Sequence, residues 1–230
     1  MLDFHAHILP RVDDGSRSVA ESLAMLESMR EQGITTVVAT PHFYADDESV
    51  DAFLDRRNAA LEALCERPPN SPEIRLGAEV RYYEGIGRLP DLAKLRIQDS
   101  RLLLLEMSFG PWSEYAVREV IDIAAQGKII PVLAHVERYL FLQKKDVATR
   151  LLENGVLFQT NASFVVSRRY RRRALKMMAN NQLHFIGSDC HNLTSRPPNA
   201  GSAFSLVEKK LGQSFATAFV NYQRELLLQP

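Results

Sequence analysis

At 230 residues, with 46% hydrophobic and 24% charged residues, the chain can fill one sizeable core, which excludes disorder and fibrous structure as overall descriptions. Lys+Arg 28 balance Asp+Glu 28, so there is no excess positive charge for a whole-chain grip on nucleic acid or an anionic membrane. Two cysteines (Cys65 and Cys190), apolar runs too short for a bilayer and no leader-like opening together predict a cytoplasmic protein without membrane insertion.

Short β-rich runs occur at Leu2–His5, Thr35–Ala39, Ile74–Ala78, Arg101–Leu105, Ile129–Ala134, Val156–Thr160 and His184–Gly187. Helical stripes lie between most of them. Val19, Leu23, Leu26 and Met29 precede Gly33; Phe53, Ala60, Leu61 and Leu64 precede Pro68-Pro69; Val117, Val120, Ile121 and Ala124 precede Gly127. Val147, Leu151 and Leu152 precede Asn154-Gly155, and Leu175 to Met178 precede Asn180-Asn181. This alternation predicts an α/β fold of βαβ units with a parallel sheet, open or closed into a barrel. No Gly-rich dinucleotide or P-loop fingerprint follows a strand, and neither repeat nor linker divides the chain, so residues 1–230 read as one domain.

Five of the six histidines fall at or just beyond a predicted strand's C-terminal end, the rim where parallel α/β folds assemble active sites. Asp3-Phe4-His5-Ala6-His7 closes the first strand, Thr40-Pro41-His42 the second and Gly77-Ala78-Glu79 the third. Leu105-Glu106, Ala134-His135 and Ser188-Asp189-Cys190-His191 close later ones. Alternate strand residues share a face, so His5 can converge with His7, and Asp189 with His191. Mixed imidazoles and carboxylates suit manganese, iron or zinc, and so many ligands imply two or three ions, with Glu79 as the bridge. Such clusters are the usual machinery for attacking phosphate esters. Taken singly, a strand-end histidine is more often a satisfied core or surface residue, and Glu79 or Glu106 could be a buried ion-pair partner. Their common placement is what favours a metal site. His184, at the start of a strand, reads as structural.

Arg138 and Arg196 follow ligand positions and are expected to clamp phosphate, although surface ion pairs would also explain them. Cys190 to Arg196 spells C-x5-R, the core of thiolate phosphatases. That chemistry is rejected: Asp189 would raise the thiol pKa, and the loop has no glycine to form an anion nest. Cys65 reads as core. Phe43, Tyr44, Trp112 and Tyr115 could line an apolar mouth or cap the sheet. The basic run Arg168 to Arg173 reads as a solvated helix face, with attraction of an acidic or phosphorylated protein as the functional alternative.

Together with Val12-Asp13-Asp14-Gly15, His135-x-Glu137-Arg138-Tyr139 and Ser195-Arg196-Pro197-Pro198, these motifs resemble the PHP (polymerase and histidinol phosphatase) superfamily. Within it they most resemble the manganese-dependent tyrosine-protein phosphatases of bacterial capsular and exopolysaccharide loci, from residue 1 to about residue 225. The resemblance implies a distorted (β/α)7 barrel with a trinuclear site. It implies one ion on His5, His7, Glu79 and Asp189, a second on Glu79, Glu106 and His135, and a third on Asp14, His42 and His191. It also implies a phosphotyrosine substrate, the Tyr-rich tail of a bacterial tyrosine autokinase that controls polysaccharide synthesis. Phe43 stands where relatives often carry a second polar residue. The expectation is a phosphomonoesterase acting on protein phosphotyrosine through a metal-bound hydroxide, with Mn2+, or Fe or Zn in some positions. The alternatives are a histidinol-phosphate or other small-molecule phosphatase, and a catalytically silent, metal-stabilised binding module.

Overall fold

Serines start the first three helices. In the computed structural model, which describes residues 1–229, Ser18 accepts a hydrogen bond from Glu21 N at the head of α1 (Val19–Glu31). Ser49 accepts from Ala52 N at α2 (Val50–Glu62), and Ser113 from Ala116 N at α3 (Glu114–Ala125). Each cap satisfies an N–H that the first helical turn cannot pair internally. The buried stripe of α1 is Ser22, Met25, Leu26 and Met29, which leaves the expected core residue Val19 exposed. Cys65 is likewise exposed rather than core; its neighbour Leu64 fills the interior position, because the chain leaves α2 at Ala63 and the face turns.

Among the described residues there are nine strands, seven at the predicted runs and two short ones, His42–Phe43 and Glu79–Arg81, beyond them. They are β1 (Leu2–Ala6), β2 (Thr36–Ala39), β3 (His42–Phe43), β4 (Glu73–Leu76), β5 (Glu79–Arg81), β6 (Leu102–Glu106), β7 (Ile130–Leu133), β8 (Leu157–Asn161) and β9 (Phe185–Gly187). All pairs are parallel, in the orders β1-β2-β4 and β3-β5-β6-β7-β8-β9. The break between β2 and β3 falls at Thr40-Pro41, where proline has no N–H for the ladder. Across it, Gly77 N donates to Ala39 O (2.8 Å) and Glu79 N to Pro41 O (3.0 Å), so the two groups stay in step. At the far edge, Asp189 N donates to His5 O (2.8 Å) and His7 N to Cys190 O (2.9 Å). The result is a curled parallel sheet whose last strand lies against its first.

One apolar cluster joins Leu2, Phe4, Val38, Leu104, Val132 and Phe185, side chains of five different strands, which places it inside the curl. Phe4 stacks on Phe185 at 3.7 Å. Leu226 and Leu227 pack against it from the chain's last helix. A larger cluster lies under the outer helices, which continue as α4 (Val147–Glu153), α5 (Ala162–Val166), α6 (Arg171–Ala179), α7 (Ala200–Leu211) and α8 (Gln213–Leu227). Between β5 and β6 there are only two 3-10 turns. Glu119 of α3 holds that connection, accepting from Tyr82 Oη (2.9 Å), Gly85 N (3.0 Å) and Gly87 N (3.2 Å). No helix among the described residues is long and apolar enough to cross a membrane.

Candidate metal centre

The curl brings all nine expected ligands into one cluster at the C-terminal rim of the sheet. Glu79 is its hub: Oε2 lies 3.2 Å from His5 Nε2, 3.2 Å from His7 Nε2 and 3.1 Å from His42 Nδ1, while Oε1 lies 2.9 Å from His135 Nε2. Glu106 Oε1 is 3.5 Å from His135 Nε2. Asp189 Oδ1 lies 3.7 Å from His5 and 3.5 Å from His7, and Asp14 Oδ1 lies 3.5 Å from His42 and 3.2 Å from His191. His42 faces Glu79 with one ring nitrogen and Asp14 with the other, so it stands between the second and third expected ligand groups.

The expected convergence of Asp189 and His191 by strand alternation does not occur: β9 ends at Gly187, and Asp189 takes a left-handed backbone (φ 55°). His135 is left-handed too (φ 32°). Such conformations cost roughly 1–3 kcal/mol each for a side chain with a Cβ and persist where the surroundings over-determine them. Close approach is enforced at two glycines. A Cβ on Gly187 would meet His5 Cβ at 2.5 Å, and one on Gly15 would meet His7 O at 2.3 Å. Asp3, although part of the first motif, does not face the cluster. Its Oδ1 accepts from Ser188 N (2.7 Å), bracing β1 against the turn after β9, and burial pushes its carboxyl up to about 6.

Hydrogen bonds fix how the imidazoles point. Tyr139 donates its hydroxyl proton to Ala134 O (2.6 Å), so at 2.8 Å its oxygen accepts from His135 Nδ1. His191 Nδ1 lies 3.0 Å from the Asp189 carbonyl oxygen, and His7 Nδ1 lies 2.6 Å from Asp13 Oδ2; neither oxygen can donate. In all three residues Nδ1 is therefore the donor, leaving the Nε2 lone pair facing a carboxylate. A lone pair aimed at an anion demands a proton or a cation between them. Glu79 Oε2, His42 Nδ1 and His191 Nε2 are buried with no hydrogen-bond partner. Ligand atoms sharing one ion at about 2.1 Å lie roughly 3–3.5 Å apart, close to the separations found here. The residues fit a cluster of divalent ions.

The charge balance agrees. Burial opposes protonation of His5 and His7, but Glu79 and Asp189 beside the first, and Asp13, Asp189 and Glu79 beside the second, raise both above the usual histidine range. Burial lowers His42, His135 and His191, the last to about 4. Glu79 is held well below the carboxylate range: His5, His135 and His7 outweigh its burial. Glu106 rises to about 7, chiefly by burial and then by Glu79. Such a nest stabilises positive charge, and bound cations would displace the protons it otherwise attracts.

Arg138 Nη2 (2.5 Å) and Arg196 Nη2 (2.7 Å) both donate to Asp189, and both side chains remain partly exposed at the mouth. Cys190 is buried, and burial followed by Asp3 raises its thiol well above the ordinary value, which opposes thiolate chemistry. Phe43 is core, edge-on to Phe53. Tyr44 stacks on His42 at 5.5 Å, Trp112 sits 5.5 Å from Tyr139 and Tyr115 is exposed. His184 is structural, accepting from Phe158 N at 3.0 Å. Sequence reasoning missed the supporting residues. Besides Asp13 and Tyr139 these are Gln159, which accepts from His135 N (2.6 Å), and Asn161, which donates to Asp189 Oδ2 (2.9 Å). The signal was the polar run Gln159-Thr160-Asn161 ending an apolar strand at the same rim. Arg81, two residues beyond Glu79, places its guanidinium 5.6 Å from the Tyr44 ring centre, and no carboxylate among the described residues pairs with it.

A curled parallel sheet with a buried His/carboxylate cluster at its C-terminal rim defines an α/β protein whose clustered side chains could hold metal ions. Residues 1–229 match the family model for capsular polysaccharide synthesis, CpsB/CapC, and the chain belongs to that family. Tyrosine-protein phosphatase CpsB of Streptococcus pneumoniae is 31% identical over 245 residues, covering 99% of this chain and 98% of that protein. Tyrosine-protein phosphatase YwqE of Bacillus subtilis is 31% identical over 241 residues, covering 100% and 92%. The fold matches a crystal structure from work on YwqE and CpsB, described as metal-dependent tyrosine phosphatases, with a TM-score of 0.83 at 27% identity, covering 100% of this chain and 96% of that one.

Proposed function

We propose that this chain is a metal-dependent protein-tyrosine phosphatase. The observation that carries the reading is the set of Nε2 lone pairs on His7, His135 and His191 turned toward carboxylates, with Glu79 Oε2 unpartnered between them. On this reading His5, His7, Glu79 and Asp189 hold one ion, Glu79, Glu106 and His135 a second, and Asp14, His42 and His191 a third. All donors are nitrogen or oxygen, which supports Mn2+, with Fe or Zn as substitutes. When bound, such ions lower the pKa of a water and offset phosphate charge.

The chain's own residues do the rest. Arg138 and Arg196 bind the non-bridging phosphate oxygens, leaving Asp189 to ligand duty. Asp13, Gln159 and Tyr139 hold the imidazoles in register. Tyr44 and Trp112 flank the mouth where an aromatic leaving group would lie. A phenol, with a pKa of about 10, departs more readily than an alkyl alcohol and demands less of a general acid. The domain is the whole chain, residues 1–230, read as a distorted (β/α)7 barrel; the hydrogen bonds linking β9 to β1 and the alignment of β2 with β3 and β4 with β5 support seven strand positions. The substrate is the phosphotyrosine-bearing, Tyr-rich tail of a bacterial autokinase governing polysaccharide synthesis, and the compartment is the cytoplasm.

The test is the ratio of kcat/KM for a phosphotyrosine peptide and for histidinol phosphate, with Mn2+ supplied. A preference of about 100-fold for the peptide is expected, of the size that a site built around polar contacts achieves. A preference for histidinol phosphate overturns the substrate class, and no turnover of either overturns the hydrolase.

A further inference from the structure

Charge is unevenly distributed along this neutral chain. Between residues 140 and 188 there are nine lysines and arginines and only two acids, Asp146 and Glu153. Arg150 is paired with Glu114 and Asp146, and Lys144 reaches Glu114 at 4.0 Å. Among the described residues no carboxylate pairs with Lys145, Lys176 or any arginine of the Arg168–Arg173 run. Two of these cations, Lys145 and Arg173, line a cavity of about 390 Å3 on the flank between α4 and α6. Its walls include Lys144, Lys145 and Arg173, its apolar surface Leu140, Phe141 and Leu152, and none of its lining residues is acidic. Phe141 is 63% exposed and contributes an aromatic face to this cavity.

Both walls are tied to the metal centre. Leu140 lies two residues beyond Arg138, whose guanidinium reaches Asp189, and α5 and α6 continue from Asn161, which also reaches Asp189. A cavity with room for a side chain, an aromatic wall and the three cations Lys144, Lys145 and Arg173 fits a ring bearing a dianion better than a carboxylate, which offers no ring, or an extended polyanion, which needs a long basic stripe. We propose that this groove binds a second phosphotyrosine of the same substrate protein while the first occupies the metal centre. The inference rests on the phosphotyrosine reading above. Two linked contacts raise the effective concentration of each, so a multiply phosphorylated segment would be favoured over a singly phosphorylated one.

The test uses peptides carrying one or two non-hydrolysable phosphonodifluoromethyl-phenylalanine residues, with binding to the metal-loaded protein followed by fluorescence anisotropy. The doubly substituted peptide should bind about tenfold tighter than the single one, a modest use of bivalency. In the Lys145→Gln/Arg173→Gln variant that advantage should fall below about twofold, with affinity for the single peptide and turnover of a small aryl phosphate unchanged. Equal binding of both peptides by the unaltered protein, or an advantage that survives in the variant, overturns the groove while normal turnover of a singly phosphorylated peptide leaves the phosphatase standing. Lack of that turnover removes both. Stronger binding of single-stranded RNA or phosphatidylglycerol vesicles than of the doubly substituted peptide would give the patch to another polyanion and overturn the inference as well.

Discussion

His135 and His184 are both buried histidines, at opposite ends of the same sheet, and burial lowers the pKa of each. Their surroundings differ in kind. His184 accepts from Phe158 N and has no carboxylate partner, so its ring is neutral and at rest. His135 has one nitrogen fixed by Tyr139 and the other turned to Glu79 and Glu106, in a cluster with buried atoms that find no hydrogen-bond partner among the described residues. A buried histidine is therefore diagnostic of a ligand site by what remains unsatisfied around it, since a structural one is paired within the fold.

The largest break in that contrast comes from Glu79→Gln, which removes the hub charge and makes the rim more like the surroundings of His184. Loss of several kcal/mol of charge stabilisation predicts a fall of about 10³-fold or more in kcat on a phosphotyrosine peptide, with loss of bound metal by elemental analysis. Arg138→Ala should cost about 10²–10³-fold in kcat/KM, the size of losing one preorganised donor, while metal content stays at the unaltered level. A drop in metal content would instead make Arg138 a structural partner of Asp189.

The opposite end is tested by pH. His184 has its pKa lowered to about 4 from the ordinary 6.5, so the unfolded chain takes up its proton first as pH falls. Stability from the neutral ring is complete above pH 6.5 and is lost through the window down to about 4, by about 3 kcal/mol in all. Urea unfolding at pH 7 and pH 4.5 should show a smaller acid loss in His184→Gln than in the unaltered chain; equal losses would refute the assignment. The smallest effect is expected at Asp13→Asn, which keeps the shape but weakens the hold on His7 Nδ1. A 10–100-fold loss of metal affinity is typical of such an orienting residue, read here as a higher Mn2+ concentration for half-maximal rate.

The strands and eight of the nine clustered side chains were legible for the same reason: apolar runs announce strands, and charged groups at their ends have few apolar explanations, whereas Asp14, in the loop beyond β1, came only from the family resemblance. Residues that act on other residues left less trace. Gln159 and Asn161 are neutral and look like any polar strand end, and only the fold shows that they face His135 and Asp189. β3 and β5 lie beyond the predicted runs Thr35–Ala39 and Ile74–Ala78 and were not foreseen, because the ladder resumes past Thr40-Pro41 and Gly77-Ala78, where a missing N–H or a backbone step interrupts it. α7 and α8 were not foreseen, lying beyond the last strand where no alternation marks them. The exposed Cys65 shows how far one residue of phase can mislead, since its neighbour Leu64 is the one inside.

The central claim is that nine side chains gathered at one rim of the sheet form a cage for cations, and elemental analysis of protein purified without chelator tests it directly. About two or three equivalents of a divalent transition metal per chain, manganese foremost, are predicted. Protein that is folded and monodisperse yet carries no transition metal, and binds none when Mn2+ is added, would contradict the account.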